Sequence, residues 1–265
     1  MLQFDRVSLD DEAEVLRQQV RGFIEDNREH LPKPNSDFVT GHDPEFSQKL
    51  GEQGWIGMTW PADVGGSDKT NFERLVVTEE LLAAGAPVSA HWIADRQSGP
   101  LLLRFGTEEQ RAKYLPGIAR GESYFSIGMS EPDTGSDLAS VRTTATAEGD
   151  AYRINGTKIW TTDAHRNHYI MCLVRTEAPS ENRHAGFSQI IVDLKNDGAK
   201  VRPIRNMAGG EDFNEVVFDN VLLPKDRIVG EPGNGWQQVT SELAYERSGP
   251  ERFLSSFRVF VELVR

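Results

Sequence analysis

Apolar residues recur at two different periods along the chain, and the change of period divides it into three blocks. In "DDEAEVLRQQVRGFIEDN", residues 10–27, Val15, Leu16, Val20, Phe23 and Ile24 fall on one stripe of a helix. Ser8 with Asp11 three residues on predicts its N-cap. Asp43-Pro44 predicts the start of a second helix, with proline where its missing N–H costs nothing. "NFERLVVTEELLAAGA" predicts a third, and Thr107 with Gln110 makes a capping box that opens "EEQRAKYLPGI". "WPADVGGSD", between the second and third helices, reads as a Gly/Pro-rich loop. Residues 1–122 are therefore expected to form an all-helical domain.

From residue 123 the period drops to two. "SYFSIGMS", "RTTATAEG", "AYRINGTKIWTT", "HYIMCLVRT", "FSQIIVDL" and "NEVVFDNVLL" are short and rich in Val, Ile, Thr and aromatics. Asn155-Gly156 predicts a two-residue hairpin between "AYRI" and "TKIW", because both residues accept positive φ. Residues 123–232 read as an antiparallel β-sandwich or barrel of roughly 100 residues. After "GEPGNGW" the pattern is helical again and runs to the last residue without a C-cap. Residues 233–265 thus read as the first helix of a C-terminal helical bundle that is incomplete in this chain. The expected fold class is α+β, multidomain.

Composition narrows the function more than the fold. At 265 residues the chain can bury a sizeable core, and 38% hydrophobic with 26% charged residues is ordinary for a globular protein. A net charge of -12 argues against nucleic acid, and leaves any anionic ligand to be held by local donors. No apolar run approaches the ~20 residues of a membrane span. The opening "MLQFDRVSLDDEAEVL" lacks the basic-then-apolar layout of a signal peptide. Cys172 is the only cysteine, which leaves no disulfide within the chain and no Cys-based zinc site, and fits a cytoplasmic location. Within its apolar strand, Cys172 reads as core rather than nucleophile.

Two stretches could carry chemistry. "GMSEPDTGSD", residues 128–137, supplies hydroxyls from Ser130 and Ser136, and Gly135 lets a ligand approach the backbone. It is neither a dinucleotide fingerprint nor a P-loop, and alone it fits an Asx/Ser turn equally well. In "NGTKIWTT", residues 155–162, Trp160 and Thr162 share one face of a strand and Thr161 takes the other. A tryptophan flanked by hydroxyls suits a large planar ring with polar edges, although a core tryptophan is the commoner use. His165 and His168 have a spacing that binds metal on a helix, but they follow a strand and lack a third ligand, so no metal is expected.

Taken together, "GMSEPDTGSD", "NGTKIWTT", "FNEVVFDNVLLPKDRIVG" and "GNGW" before a helix containing Glu246-Arg247 resemble the acyl-CoA dehydrogenase family. The resemblance runs from the first helix to the last residue. "RQSGPLLLRFGTEEQR", "GMSEPDTGSDLASVRT" and "ELAYERSGPERFL" are similar to the branch acting on bulky acyl-CoAs, including sterol side chains, whose members can assemble from two different subunits. It implies FAD between the β domain and the helical domains. Ile127 to Ser136 would form the first flavin segment, with Met129 and Ser130 against the ring and Ser136 near the phosphates and the acyl-CoA. Trp160 would pack on the ring, and Thr162 would donate to flavin N5 with Thr161 beside it. Asp163 stands where the family often has asparagine.

The implied reaction is α,β-dehydrogenation of an acyl-CoA, with Glu246 as the base and Tyr245 and Arg247 near the CoA moiety. His91, Trp92 and Asp95 would lie near the face lining the acyl pocket, and "RHAG" (183–186) could touch a neighbouring subunit. Electron-transfer flavoprotein is the implied acceptor, and a homo- or hetero-oligomer, dimer or tetramer, the implied assembly. Two alternatives stay open. One is a flavin monooxygenase or nitroalkane oxidase on the same fold, which would require oxygen. The other is a non-catalytic or half-site partner subunit.

Overall fold

The structure is a computed structural model that describes residues 10–37, 39, 41–246 and 249–265. Helix α1 (Asp11–Asp26) starts at Asp10, whose carboxylate accepts from the Ala13 N–H at 2.8 Å. Ser8, expected as the cap, lies outside the described residues. Val20 is buried, and Leu16, Phe23 and Ile24 pack on the helical core. Val15 does not join them and is 59% exposed, so the buried stripe is one residue narrower than the sequence suggests. Helix α2 (Pro44–Glu52) begins as expected, with Asp43 accepting from the Phe46 N–H. Capping boxes open α3 (Asn71–Ala83) at Thr70/Glu73 and α6 (Glu108–Ala119) at Thr107/Gln110.

Between them run α4 (Ser89–Ile93), a π-helical turn at Ala94–Ser98, and α5 (Gly99–Phe105). Pro100 has no N–H to give the Arg96 carbonyl one turn back, so the ladder widens there. The widened turn carries Asp95, Arg96 and Gln97.

Seven strands form one curled sheet: β1 (Phe125–Gly128), β2 (Thr144–Glu148), β3 (Ala151–Thr162), β4 (Tyr169–Arg175), β5 (Phe187–Asp193), β6 (Lys200–Ile204) and β7 (Phe213–Pro224). Their order is β1-β4-β2-β3-β7-β6, with β5 also on β4. Most pairs are antiparallel, but β1 and β4 run parallel, as does the single pairing of β2 with β4. Strand β4 is buried on both faces, which explains its unbroken apolar run. Ile170, Cys172 and Val174 join the core inside the curl, whereas Met171 joins the helical core along with Phe125, Ile191 and Val229. The two domains therefore share one apolar seam. Strand β6 escaped the sequence pattern because it contains Pro203 and is mostly exposed, as an edge strand can be.

The hairpin expected at Asn155-Gly156 does not form. β3 runs straight through both residues, with a shift of register against β7 between Ile154 and Gly156. The pair makes a bulge instead: Asn155 Oδ1 accepts from the Asn220 N–H at 2.8 Å, and Gly156 has φ 149°. A Cβ there would lie 2.4 Å from Thr143 Oγ1 and 2.7 Å from its Cα. Gly156→Ala is expected to destabilise the protein by about 2 kcal/mol or more through strain and overpacking, read by denaturant unfolding. An unchanged midpoint would contradict that cause.

The last block is not one helix. α7 (Gly235–Glu246) stops before Gly249-Pro250, and α8 (Glu251–Leu254) and α9 (Phe257–Val264) follow. Proline removes a helical donor and ends the ladder.

Candidate active site

The two motifs meet through a buried ion pair that neither announces. Glu131, from "GMSEPDTGSD", and Lys158, from "NGTKIWTT", are both buried and lie 2.9 Å apart. Lys158 Nζ also donates to the Met129 carbonyl at 3.1 Å. Glu131 accepts from the N–H groups of Arg142 and Thr143 and from the Thr143 hydroxyl. The Ile159 N–H donates to the Ser130 carbonyl at 3.0 Å, fastening the loop to β3. Burial pulls the Lys158 ammonium down, opposed by Glu131. Burial would push the Glu131 carboxyl up, but Lys158 and the donors around it hold it below the usual carboxylate range. The acid of this loop is thus a clamp, and its visible signal was a lysine among apolar strand residues.

Beside the clamp, a cleft of about 1440 Å³ opens between helices and sheet. Ile127, Met129, Ser130, Trp160 and Thr162 line its sheet side, and Tyr245 and Glu246 line it from α7. Trp160 has φ 59°, a strained value for a bulky residue, next to the register shift between Lys158 and Thr161. The residue is 57% exposed, and its ring stands edge-on to Phe213. Among the described residues, the hydroxyls of Ser130 and Thr162 have no hydrogen-bond partner.

Other expected residues fall elsewhere. Thr161 is fully buried, turned from the cleft, and its hydroxyl has no partner among the described residues. Gly135 and Ser136 are exposed on the loop beyond, next to Asp137, which Arg183 grips at 2.8 Å. Arg247 lies outside the described residues.

Glu246 pairs with Arg252 at 2.9 Å, with 36% of its side chain exposed. One turn earlier, Glu242 is fully buried; its Oε2 accepts from the Gln189 amide at 2.7 Å and its Oε1 has no partner among the described residues. Burial pushes the Glu242 carboxyl up to about 8, opposed by the Gln189 bond and aided by Glu246. An unfolded glutamate titrates near ~4.3. Between these values the unfolded chain sheds a proton that the folded chain keeps, so stability falls as pH rises through the window. Glu242→Gln is expected to flatten this fall, measured by denaturant unfolding from pH ~4.5 to ~8. Parallel pH profiles for wild type and variant would contradict it.

His165, His168 and His91 are each held by hydrogen bonds away from the cleft lining. His165 Nδ1 meets Asn214 Oδ1 at 2.9 Å, and His168 Nδ1 accepts from the Tyr124 N–H. His91 is buried on the Ser47 hydroxyl, and burial pushes it down to about 4. Of His91, Trp92 and Asp95, only Trp92 lines the cleft; Asp95 accepts from the Gly57 N–H. His184 of "RHAG" stacks on Trp236, with ring centroids 4.1 Å apart. Cys172 is buried in the core, where burial pushes its thiol up to about 12. Asp163 is buried, has φ 52°, and accepts from the Ser89 hydroxyl at 2.8 Å, tying β3 to α4 at the cleft.

A helical block, a curled sheet and a large cleft at their seam define a protein built to enclose a sizeable ligand. Residues 10–122 match the family model described as acyl-CoA dehydrogenase, N-terminal domain, and residues 126–221 match that described as acyl-CoA dehydrogenase, middle domain. The chain belongs to the acyl-CoA dehydrogenase family. It is 37% identical over 244 residues to acyl-CoA dehydrogenase IpdE1 of Mycobacterium tuberculosis, covering 89% of this chain and 63% of that protein. It is similar to the solved Tcur3481-Tcur3483 steroid ACAD with TM-score 0.86 and 32% identity, over 98% of this chain and 68% of that one. It is also similar to a chain of the ChsE4-ChsE5 complex from Mycobacterium tuberculosis, with TM-score 0.77 and 33% identity, over 91% and 61% of the two chains. The chain spans less than two thirds of the length of the curated relative.

Proposed function

We propose that this protein is an FAD-dependent acyl-CoA dehydrogenase acting on bulky, sterol-derived acyl-CoAs. The observation that carries the reading is the sheet wall of the cleft, where a strained, exposed Trp160 stands beside the unpartnered hydroxyls of Ser130 and Thr162. A planar ring with polar edges satisfies all three. Gly135 fits the same reading, because a Cβ there would meet nothing within 4 Å, so the chain's own packing gives no reason for glycine. Close approach of a ligand does.

Ile127 and Met129 would support the ring, Ser130 and Thr162 would bond its edge, and Gly135 and Ser136 would hold the phosphate-bearing part. Thr161 would brace the strand from behind. When bound, FAD supplies the acceptor for the hydride that leaves Cβ of the acyl group. Glu246 takes the Cα proton onto a carboxylate oxygen, and Arg252 holds that carboxylate in place. Tyr245 and Arg247 would face the CoA moiety, and Ser136 would reach both ligands. Trp92, Ile93, Leu103 and Leu243 wall the cleft with apolar surface that excludes water. The bulky-acyl reading is supported by the relative described as a steroid ACAD. Electron-transfer flavoprotein is the proposed acceptor.

Phe253, Phe260, Leu263 and Val264 expose apolar surface on α8 and α9. This favours an assembly in which further polypeptide covers them, a homo- or hetero-oligomer.

The test is product analysis. The natural holoprotein, given an acyl-CoA and an artificial electron acceptor, should yield the enoyl-CoA lighter by two hydrogens. Incorporation of an oxygen atom would instead favour a monooxygenase. Trp160→Ala should leave stability nearly unchanged but reduce flavin retained through gel filtration by roughly tenfold or more. Full retention would count against Trp160 as the ring's platform.

A further inference from the structure

Strained residues bracket Thr161 and Thr162. Trp160 at φ 59° and Asp163 at φ 52° both sit in the left-handed region without being glycine. Such a conformation lasts only where its surroundings over-determine it. Here much of the constraint comes from buried side chains. The Thr161 carbonyl accepts from the Asn214 amide at 2.9 Å, and Asn214 is fully buried. The Thr162 carbonyl accepts from the Ser126 hydroxyl at 2.7 Å. On the other edge of the same peptide, the Asp163 N–H donates to the Asp212 carbonyl at 2.8 Å. The Thr162–Asp163 peptide is thus pinned on both sides.

The donors behind it run in one direction. Asn167, 2% exposed, donates to the Phe125 carbonyl at 3.1 Å and to Ser126 Oγ at 2.9 Å. A carbonyl only accepts, so the Phe125 bond fixes which end of the amide carries the nitrogen. Ser126 accepts from Asn167 and spends its own proton on the Thr162 carbonyl. Asn167 Oδ1 is left facing His42 Nε2 at 3.4 Å, and His42 lines the cleft. Ser126 is fully buried, and neither it nor Asn167 lines the cleft. They grip Thr162 from behind, while Thr162 itself lines the cleft. Apolar side chains of the same shape could pack at these positions at little cost. What the hydroxyl and the amide add is a fixed direction for one peptide.

We propose that Ser126 and Asn167 are positioning residues for the reaction, which hold the Thr162–Asp163 peptide in its strained form and so aim the Thr162 hydroxyl at the flavin edge. The proposal rests on the function given above and extends it from the groups that touch the cofactor to the buried pair that sets one of them. Without the Ser126 hydroxyl, the Thr162 carbonyl loses its donor. Asp163 then relaxes to negative φ by turning the peptide over, which releases the strain. The Thr162 side chain moves with its backbone, and the Asp163 carboxylate leaves the Ser89 hydroxyl that now holds it at 2.8 Å.

The test compares the natural holoprotein with Ser126→Ala, and with Ser47→Ala as control. Ser47 is equally buried and its hydroxyl also donates to a backbone carbonyl, but it stands away from the cleft. Both variants should lose similar stability, read by thermal melting. Only Ser126→Ala should slow flavin reduction by an acyl-CoA, by roughly tenfold or more. Its flavin should also be harder to reduce at equilibrium without substrate, by about tenfold, or ~30 mV for a two-electron couple. Asn167→Ala should shift both readouts the same way, and it decides the matter where Ser126→Ala does not fold. Equal rates and potentials in the Ser126 and Ser47 variants overturn the positioning role and leave the dehydrogenase reading standing. If the natural protein binds no flavin, that reading fails, and crystal structures of wild type and Ser126→Ala decide the rest. A Thr162–Asp163 peptide turned over in the variant upholds the positioning role, and an unmoved peptide overturns it.

Discussion

Glu246→Gln is expected to lower kcat by about two to four orders of magnitude while the protein keeps its flavin. Glu246 lines the cleft at the end of α7, and its carboxylate has a salt bridge to Arg252 as its only ion pair among the described residues. Glutamine preserves the shape and the hydrogen-bonding reach but cannot accept the Cα proton. The loss should therefore fall on kcat, with KM changed little. Rapid anaerobic mixing of the variant with an acyl-CoA gives the rate of flavin reduction directly. Flavin reduced at the wild-type rate would remove Glu246 as the base. Glu242 would not replace it, since that carboxyl is engaged with Gln189 and lies away from the cleft.

Lys158→Met is expected to cost about 3–5 kcal/mol, because it leaves the Glu131 carboxylate buried without its counter-charge. For a chain of this length that corresponds to a fall in Tm on the order of 10 °C. The Met129 carbonyl also loses its donor, so the loop bearing Ser130 keeps the backbone bond from Ile159 but loses its side-chain tie to β3. Flavin retention should fall with stability. Combining Lys158→Met with Glu131→Gln should recover much of the loss, since the uncompensated charge is gone. A single variant that melts within a degree or two of wild type would mean that the pair does not hold the two motifs together.

The clamp shows where the sequence was readable and where it was not. Capping boxes and the stripes of α1 and α3 are local, and Thr107 with Gln110 could be read from spacing alone. The strands were legible wherever alternation was clean. Pro203 hid β6, and Asn155-Gly156 misled because a bulge and a hairpin ask for the same backbone freedom. Only the contact with Thr143, in the loop just before β2, decides between them. Trp160 and Thr162 followed from strand alternation, and the structure brings both to the cleft. Glu131 and Lys158 did not follow, because they are 27 residues apart and each looks like a surface charge until the fold buries them. Arg96 and Gln97 were missed for a related reason. They share one helical face with Trp92, Ile93, Pro100 and Leu103, and the local pattern does not show that this face borders the cleft.

The most direct measurement is the visible absorption spectrum of the natural protein under anaerobic conditions, before and after adding a panel of acyl-CoAs. A flavin spectrum that bleaches on adding an acyl-CoA is the expected result. A protein that carries no flavin, or a flavin that no acyl-CoA reduces, would contradict the proposal that this cleft is the active site of an acyl-CoA dehydrogenase.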